Sequence, residues 1–399
     1  MLPLFSGELA RGLAFRVLAP LCSNTRPASC PKKGGSKLPH SRKRLSMPDH
    51  CNPLEELTCP APLPAKDTIL LGHGSGGRLS ADLLREIFLP AFHNPVLAQL
   101  NDQAVVNIDG VRLAFTTDSF VVNPLFFPGG DIGSLAVYGT VNDLAMGGAE
   151  PLFLSAGFII EEGLPVEVLR RVVLSFRQAS EKVGVEVVTG DTKVVEKGKG
   201  DGLFINTSGI GRVPKDVSLS ADQARSGDCI LLSGTLGDHG IAILSQREGL
   251  EFETPIESDA APLHSLVAAM LEVTHSIRCL RDPTRGGLSS TLNEIAAQSR
   301  VGMVIEESSL PIREEVKGAC ELLGLDPLYV ANEGKLVAIV APEVADEVLA
   351  AMRAHPLGTN GRIIGKVVEG HPGVVTMRTY LGTSRIVDML AGDQLPRIC

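Results

Sequence analysis

Aspartates beside small polar residues recur along this chain at positions suited to chemistry. Asn101-Asp102, Asp118 in Thr116-Thr117-Asp118-Ser119, Asn142-Asp143, Asp191 in Gly190-Asp191-Thr192-Lys193 and Asp282 in Arg281-Asp282-Pro283-Thr284 fall at predicted strand or helix ends. Hard carboxylate oxygens so placed suit Mg²⁺ bridging nucleotide phosphates. Each Asp taken alone reads equally as a turn former or a helix cap. Together, around glycine-rich turns, they read as a metal–phosphate site, and Lys193 adds a positive charge against a transferring phosphoryl group. A second reactive group is Cys399, the last residue of the sequence, behind the tether Gly392-Asp393-Gln394-Leu395-Pro396. Alone it reads as an inert thiol. On a mobile arm it could carry a group between two sites.

A glycine loop, Gly72-His73-Gly74-Ser75-Gly76-Gly77, follows a strand candidate at 68–71. It matches Gly-x-Gly-x-x-Gly, but a dinucleotide site also requires an acid about 20 residues on, and residues 92–98 offer none. The surviving reading is a loop that lets backbone amides approach phosphate. No Gly-x-x-x-x-Gly-Lys-[Ser/Thr] occurs, so the device is not a P-loop.

The elements that position these residues alternate. Residues 83–88 have helical spacing before Pro90. A strand is predicted over 111–117, a helix over 131–146, a strand over 151–160 and a helix from Leu164-Pro165 to Gly184. A strand over 185–189 delivers Gly190–Lys193 to a loop, and 203–213 forms another strand. A second domain opens at Ser226-Gly227-Asp228 with strand 229–232 and a helix ending near Gly249. Helices over 264–273, 288–298, 314–323 and 344–355 then alternate with strands over 303–305, 336–340, 362–368 and 374–377. Two α/β or α+β domains are expected.

Length and composition agree. The 399 residues, 44% hydrophobic with 42 Gly and 26 Pro, describe a turn-rich globular chain of two core-sized domains. Aromatics are only 4% and Trp is absent, which removes stacking platforms for single-stranded nucleic acid. Residues 1–46 hold nine Lys or Arg against Glu8, a local +8 within a net −9, so the remainder carries −17. An acidic body excludes wrapping a nucleic-acid backbone. No run approaches the about 20 apolar residues that span a bilayer. Eight cysteines without a Cys-x-x-Cys pair fit a reducing, cytoplasmic compartment. The basic opening reads as a disordered appendage or as an early start codon, with Met47 the candidate true start. The expected division is 1–65 extension, 66–215 N-terminal domain with the metal–phosphate residues, 216–385 α/β domain and 386–399 mobile tail.

Six ordered motifs carry a resemblance: 71–77, Gly139-Thr140-Val141-Asn142-Asp143-Leu144-Ala145-Met146, Gly190-Asp191-Thr192-Lys193-Val194-Val195, Asp282-Pro283-Thr284-Arg285-Gly286-Gly287-Leu288, Ala331-Asn332-Glu333-Gly334 and Pro396-Arg397-Ile398-Cys399. From about Asp67 to Cys399 the chain closely resembles the HypE family, the carbamoyl dehydratases of nickel–iron hydrogenase maturation. HypE is related to aminoimidazole-ribonucleotide synthetase, selenophosphate synthetase and thiamine-monophosphate kinase.

That resemblance implies a two-domain α/β (α+β) fold of the aminoimidazole-ribonucleotide-synthetase kind. Two copies of the first domain would pair four-stranded sheets into a barrel across a homodimer, with ATP between the domains. It implies ATP-dependent dehydration of a carbamoyl group on Cys399 to a thiocyanate, with Mg²⁺ as cofactor. Partners would be a HypF-like carbamoyltransferase and a HypC–HypD-like iron scaffold. By matching motifs, Asp102, Asp118, Asp143, Asp191 and Asp282 would hold Mg²⁺ or its water shell. Gly74, Ser75, Gly76 and Gly77 would cover the phosphates, and Asn142 and Thr284 would contact nucleotide or metal. Lys193 would stabilise the transferred phosphate and Glu333 would accept the proton. Read without the resemblance, Glu333 is a surface loop acid, His239 a loop histidine without a role, and Ser75 and His73 shape the backbone. Rival readings are another synthetase or kinase of the superfamily, or a non-catalytic maturation scaffold. The glycine loop lacks the Cys of selenophosphate synthetases, and a scaffold has no use for the Asp and Lys set.

Overall fold

The computed structural model describes residues 68–250, 252, 254–392, 395 and 397–399. The expected extension, Met47 included, lies outside the described residues.

The first half begins with α1 (Arg78–Leu83), a π-helical turn (Leu84–Phe88) and α2 (Leu89–Phe92). β1 (Ala104–Ile108), β2 (Val111–Phe120), the short pair β3 (Phe126–Phe127) and β4 (Gly130–Asp131), and α3 (Ile132–Met146) follow. β5 (Glu150–Glu161), α4 (Val166–Val183), β6 (Glu186–Val195) and β7 (Leu203–Arg212) complete it. Its five-stranded sheet runs β1-β2-β7-β5-β6, antiparallel except for β5–β6.

Helix α3 is buried almost all round, and Leu135, Ala136, Val137, Val141 and Leu144 are fully enclosed. Asp131 starts it, Oδ1 accepting from the amides of Gly133 (2.7 Å) and Ser134 (3.1 Å). Two glycines let it lie close to its neighbours. A Cβ on Gly133 would come 2.4 Å from the Val172 carbonyl of α4, and one on Gly139 would come 2.9 Å from the Phe120 ring of β2. Helix α4 covers α3 with Val172, Phe176 and Ala179 and stops at Gly184, φ 80°. The sheet face opposite α3 is bare. Phe153, Ile210 and Phe115 form an exposed cross-strand row on it.

The second half comprises β8 (Cys229–Leu232), α5 (Asp238–Glu248), α6 (His264–Val273), β9 (Ile277–Arg281) and α7 (Gly287–Ser299). β10 (Gly302–Glu306), α8 (Glu314–Leu323), β11 (Val337–Val340), α9 (Ala345–Ala354), β12 (Arg362–Val368), β13 (Val375–Arg378) and β14 (Ser384–Ile386) follow. The sheet order is β14-β13-β10-β12-β8-β11-β9. The interior strands β8 and β11 are continuous apolar runs covered on both faces.

Several expectations change. Residues 68–71 form no strand, and Leu71–Gly74 is a 3₁₀ turn. Pro90 does not end the first helix. It sits in the first turn of α2, just after the π-helical turn, where a missing N–H is tolerated. Asp191 and Lys193 lie within edge strand β6 and not in a loop. The first sheet has five strands and not four, and the single chain leaves it open.

Candidate active site

Four of the five predicted metal carboxylates converge. Asp102 precedes β1, Asp118 lies on β2, Asp143 on α3 and Asp282 just after β9. Burial raises the Asp102 carboxyl to about 6, with Arg281 opposing and Glu294 adding to the rise. Burial takes Asp282 up to about 8, with Asp102 the next cause. Asp143 is pushed well above the ordinary range by burial and then by Asp282, Asp118 and Asp102, although Thr116 Oγ1 donates to its Oδ2 at 2.7 Å. Asp118 is raised by burial against the pull of Arg285. Like charges this close need a counter-ion.

Arg281 answers part of that charge. Its Nη1 reaches Asp102 Oδ1 at 3.1 Å and its Nη2 pairs with Glu294. Asp102 Oδ2 is buried without a partner, and so is Ser290 Oγ in the first turn of α7. An orphaned carboxylate oxygen beside an orphaned hydroxyl suits a cation carrying a phosphate. Among the described residues no three His, Cys, Asp or Glu form a closed metal cage. Mg²⁺ does not require one, because it keeps water and phosphate oxygens and takes one or two carboxylates. The donor set therefore fits Mg²⁺.

Three cavities share walls here. One of about 540 Å³ has an apolar side with Leu84, Leu97 and Phe115 and a polar side with Gly76, Gly77 and Asp102. One of about 150 Å³ shares Gly76, Asp102, Arg281 and Glu294 with it and adds Asp282, Thr284 and Arg285. The third, about 130 Å³, is lined by Gly74, Ser75, Ser119, Val121, Arg285 and Cys399. Arg285 lines both smaller spaces. Its Nη1 donates to the Gly74 carbonyl at 3.1 Å. Its guanidinium is favoured in the charged form, first by the Cys399 sulfur when that is ionised and, after a smaller opposing effect of burial, by Asp118, Glu333 and Asp143.

The glycine loop divides its duties between these spaces. Gly76, φ 74°, lies so near the Asp282–Gly287 loop that a Cβ would come 2.6 Å from the Arg285 backbone oxygen. A Cβ on Gly77 would come 2.2 Å from the Leu390 carbonyl. Ser75 Oγ donates to the carbonyls of Gly72 (2.8 Å) and Gly392 (3.0 Å), so this hydroxyl shapes backbone and lies toward the thiol cavity. His73 Nδ1 accepts the Leu70 amide at 2.9 Å.

The tail residues are docked. The Val121 amide donates to a carboxylate oxygen of Cys399 (2.9 Å) and the Asn123 amide to the carbonyl oxygen of Arg397 (3.2 Å), an antiparallel addition just beyond β2. Ile398 is buried in the core together with Leu395. The Arg397 side chain pairs with Asp201. Burial drives the Cys399 thiol pKa far up, with Arg285 opposing and Glu333, Asp118 and Asp282 adding. The docked sulfur is a thiol.

Glu333 is not a surface acid; it is 3% exposed, and its Oε1 has no partner. Burial raises its pKa well above the ordinary value, and Asp282, Asp118 and Asp259 add to the rise. Its backbone is pinned on both sides, the amide by Asp259 Oδ1 (3.0 Å) and the carbonyl by Asn142 Nδ2 (3.2 Å). Asn142 Nδ2 also donates to the Ala261 carbonyl (3.1 Å), and Oδ1 accepts the Leu263 amide (2.8 Å). The expected nucleotide ligand is thus a clamp on the Glu333 loop. Asp191 and Lys193 stand apart from the cluster as an exposed ion pair at 2.7 Å and line none of the three cavities.

Sequence reasoning missed Arg281, Arg285, Glu294, Asp259 and His239. The arginines and Glu294 were visible only as charges within or near the Asp282 motif. Asp259 and His239 carry no local signal.

Both halves match family models, residues 100–213 that of the AIR synthase related protein N-terminal domain and 225–378 that of its C-terminal domain. Fold and cleft thus define an AIR-synthase-related protein. Similarity is far higher to one branch. The carbamoyl dehydratase HypE of Cupriavidus necator is 60% identical over 330 residues, covering 82% of this chain and 94% of that one. A crystal structure of the hydrogenase maturation protein HypE in complex with ATP is 52% identical, with TM-score 0.70 over 83% of this chain and all of that one. A HypE–HypF complex gives 51% identity and TM-score 0.74 over 77% of this chain and 99% of that one. The chain belongs to the HypE family of carbamoyl dehydratases.

Proposed function

We propose that the chain dehydrates a carbamoyl group carried on its own Cys399, using ATP, to supply cyanide ligands for hydrogenase iron. The observation that carries this reading is the docking of Cys399 against Arg285 within one cleft that also holds four aspartates raised first by burial and the buried Glu333. ATP would lie in the 540 Å³ cavity with its base on the apolar side and its phosphates toward Gly76, Gly77 and the smaller space lined by Thr284. Asp102, Asp118, Asp143 and Asp282 would hold Mg²⁺, which neutralises phosphate charge when bound.

The carbamoyl oxygen, a poor leaving group, attacks the terminal phosphorus as the bond to ADP breaks. One N–H proton passes to solvent, which gives an imino phosphate on the carbon bonded to the sulfur. Glu333, which in its ionised form is a stronger base than an ordinary carboxylate, takes the second N–H proton. The C–O bond breaks, phosphate leaves, and S–C≡N remains on Cys399. Arg285 faces the oxygen that acquires charge. The 130 Å³ space beside the sulfur gives room for a group of carbamoyl size.

The tail must leave this pose to be loaded and unloaded by other proteins, here taken as a HypF-like carbamoyltransferase and a HypC–HypD-like iron scaffold. The apolar row Phe115, Ile210 and Phe153 supports a homodimer closing the first sheet into a barrel. Among the described residues no helix is long and apolar enough to cross a membrane, and the four described cysteines are free, as suits the cytoplasm. The test is to give carbamoylated protein MgATP and weigh its C-terminal peptide. Loss of one water, dependent on ATP, is expected. ATP consumption without that loss would refute the reading. Cys399→Ala should abolish the product and keep nucleotide binding, whereas Asp143→Ala should lose the nucleotide and keep the thiol.

A further inference from the structure

His239 opens α5 fully buried, its ring edge-on to Phe127 at 5.6 Å between centroids. Its Nε2 lies 2.6 Å from the Ile398 carbonyl oxygen and its Nδ1 2.7 Å from Ser258 Oγ. A carbonyl can only accept, so Nε2 carries the hydrogen. Ser258 Oγ accepts the Ala260 amide at 3.1 Å and gives its own hydrogen to Nδ1. The partners therefore fix one neutral tautomer aimed at the tail.

The main-chain oxygens of the last three residues are then all engaged. The Arg397 carbonyl and the Cys399 carboxylate take backbone amides, and Arg247 Nη2 adds a 2.7 Å bond to the Arg397 carbonyl. Neighbouring carbonyls of an extended segment point opposite ways, and His239 takes the one between. Arg397 itself is left-handed at φ 58°, a conformation that L side chains adopt at a cost. The docked shape needs a clasp.

The clasp continues to the site. Ser258 is followed by Asp259, whose Oδ1 accepts the Glu333 amide and whose Oδ2 is 3.1 Å from Lys335 Nζ. The Ala261 amide reaches the Glu333 carbonyl at 3.4 Å. One four-residue stretch touches both the histidine holding the tail and the backbone holding the base.

We propose that His239 is a positioning residue that latches the docked tail at the Ile398 carbonyl, and that Ser258 and Asp259 tie this latch to the Glu333 loop. The claim deepens the dehydratase reading and rests on it for its purpose. Its test needs neither ATP nor a carbamoyl group. In full-length protein, the rate of Cys399 alkylation by iodoacetamide is read by mass spectrometry, with buried Cys279 and Cys320 as internal controls. His239→Leu should raise Cys399 labelling roughly fivefold, as loss of one net hydrogen bond implies, with the controls unchanged. His239→Gln keeps an N–H for the carbonyl and should restore most of the protection. Asp259→Asn should also raise Cys399 labelling, because coupling is reciprocal.

Unchanged Cys399 labelling in His239→Leu overturns the latch. A parallel rise at the control cysteines means loss of fold, and Ser258→Ala then decides, unchanged Cys399 labelling there overturning the latch. Unchanged labelling in Asp259→Asn overturns the tie to Glu333. If labelling behaves as expected while carbamoylated wild-type protein loses no water with MgATP, the latch stands and the dehydratase reading falls.

Discussion

Asn142 Nδ2 and the Glu333 carbonyl oxygen lie 3.2 Å apart, joining a helix of the first half to the loop that carries the buried acid of the second. Asn142 sits one residue before Asp143 but uses both ends of its amide on backbone. Asn142→Leu should therefore lower the single-turnover dehydration rate about tenfold to a hundredfold, with the base displaced and nucleotide contacts kept. ATP affinity by calorimetry should change less than about threefold. A large loss of affinity with an unaltered rate would return Asn142 to the nucleotide.

Arg281 is 9% exposed and stands between Asp102 and Glu294. Removing it strands the Asp102 carboxylate and frees the half-buried Glu294. Arg281→Met should destabilise the protein by about 3–5 kcal/mol, measured by urea unfolding without nucleotide. Lys, a point charge without the planar fork, should recover little of this. Wild-type stability in either variant would mean that the pair is solvated.

The carboxylate cluster predicts a pH slope. Asp282 is raised from 3.8 to about 8 in the folded chain, so its contribution is fully present below about 4 and is lost as pH rises through about 8. Asp143 and Glu333 shift in the same direction. The nucleotide-free protein should melt at progressively lower temperature from pH 6 to 9, each pKa unit representing about 1.4 kcal/mol. Asp282→Asn should flatten the slope, and so should Mg²⁺ with ATP. A wild-type melting temperature rising with pH would contradict this picture.

Lys193 is far from the cluster within one chain. Along the sheet, Ser119 pairs with Asn206, Asn206 with Gly157 and Gly157 with Asp191. Three strand spacings amount to about 14 Å, beyond the reach of a lysine. If Lys193 serves the site, it must come from a second copy. Lys193→Ala and Cys399→Ala proteins, each inactive, should regain about a quarter of wild-type activity after mixing and subunit exchange, as random pairing gives. No recovery in confirmed mixed dimers would leave Lys193 acting within its own chain or not at all.

Local signals were readable from the sequence where local physics decides. Helices 264–273 and 314–323 and strand 362–368 have the bounds that periodicity and caps predict. Strand β9 escaped notice because Arg278 and Arg281 interrupt its apolar run; Asp228 and Asp102 accept those charges only in the fold. Gly190–Lys193 has turn-forming residues, yet it pairs along β5, and tertiary pairing overrides that propensity. The aspartate positions could be read from the chain, but their convergence could not. Glu333 appeared solvated because a lone Asn-Glu-Gly looks like any loop. Its buried loop is held by partners remote in sequence, among them Asn142, about 190 residues earlier.

The buried sulfur of Cys399 has one more consequence. Held as a thiol beside acids, an empty arm in the cleft is a poor nucleophile toward a nearby phosphorus. A carbamoylated sulfur has no proton to lose, and that electrostatic penalty does not act on it. The cleft thus separates cargo from vacancy by reactivity, since the empty arm offers a protonated sulfur where the loaded one offers a carbamoyl oxygen.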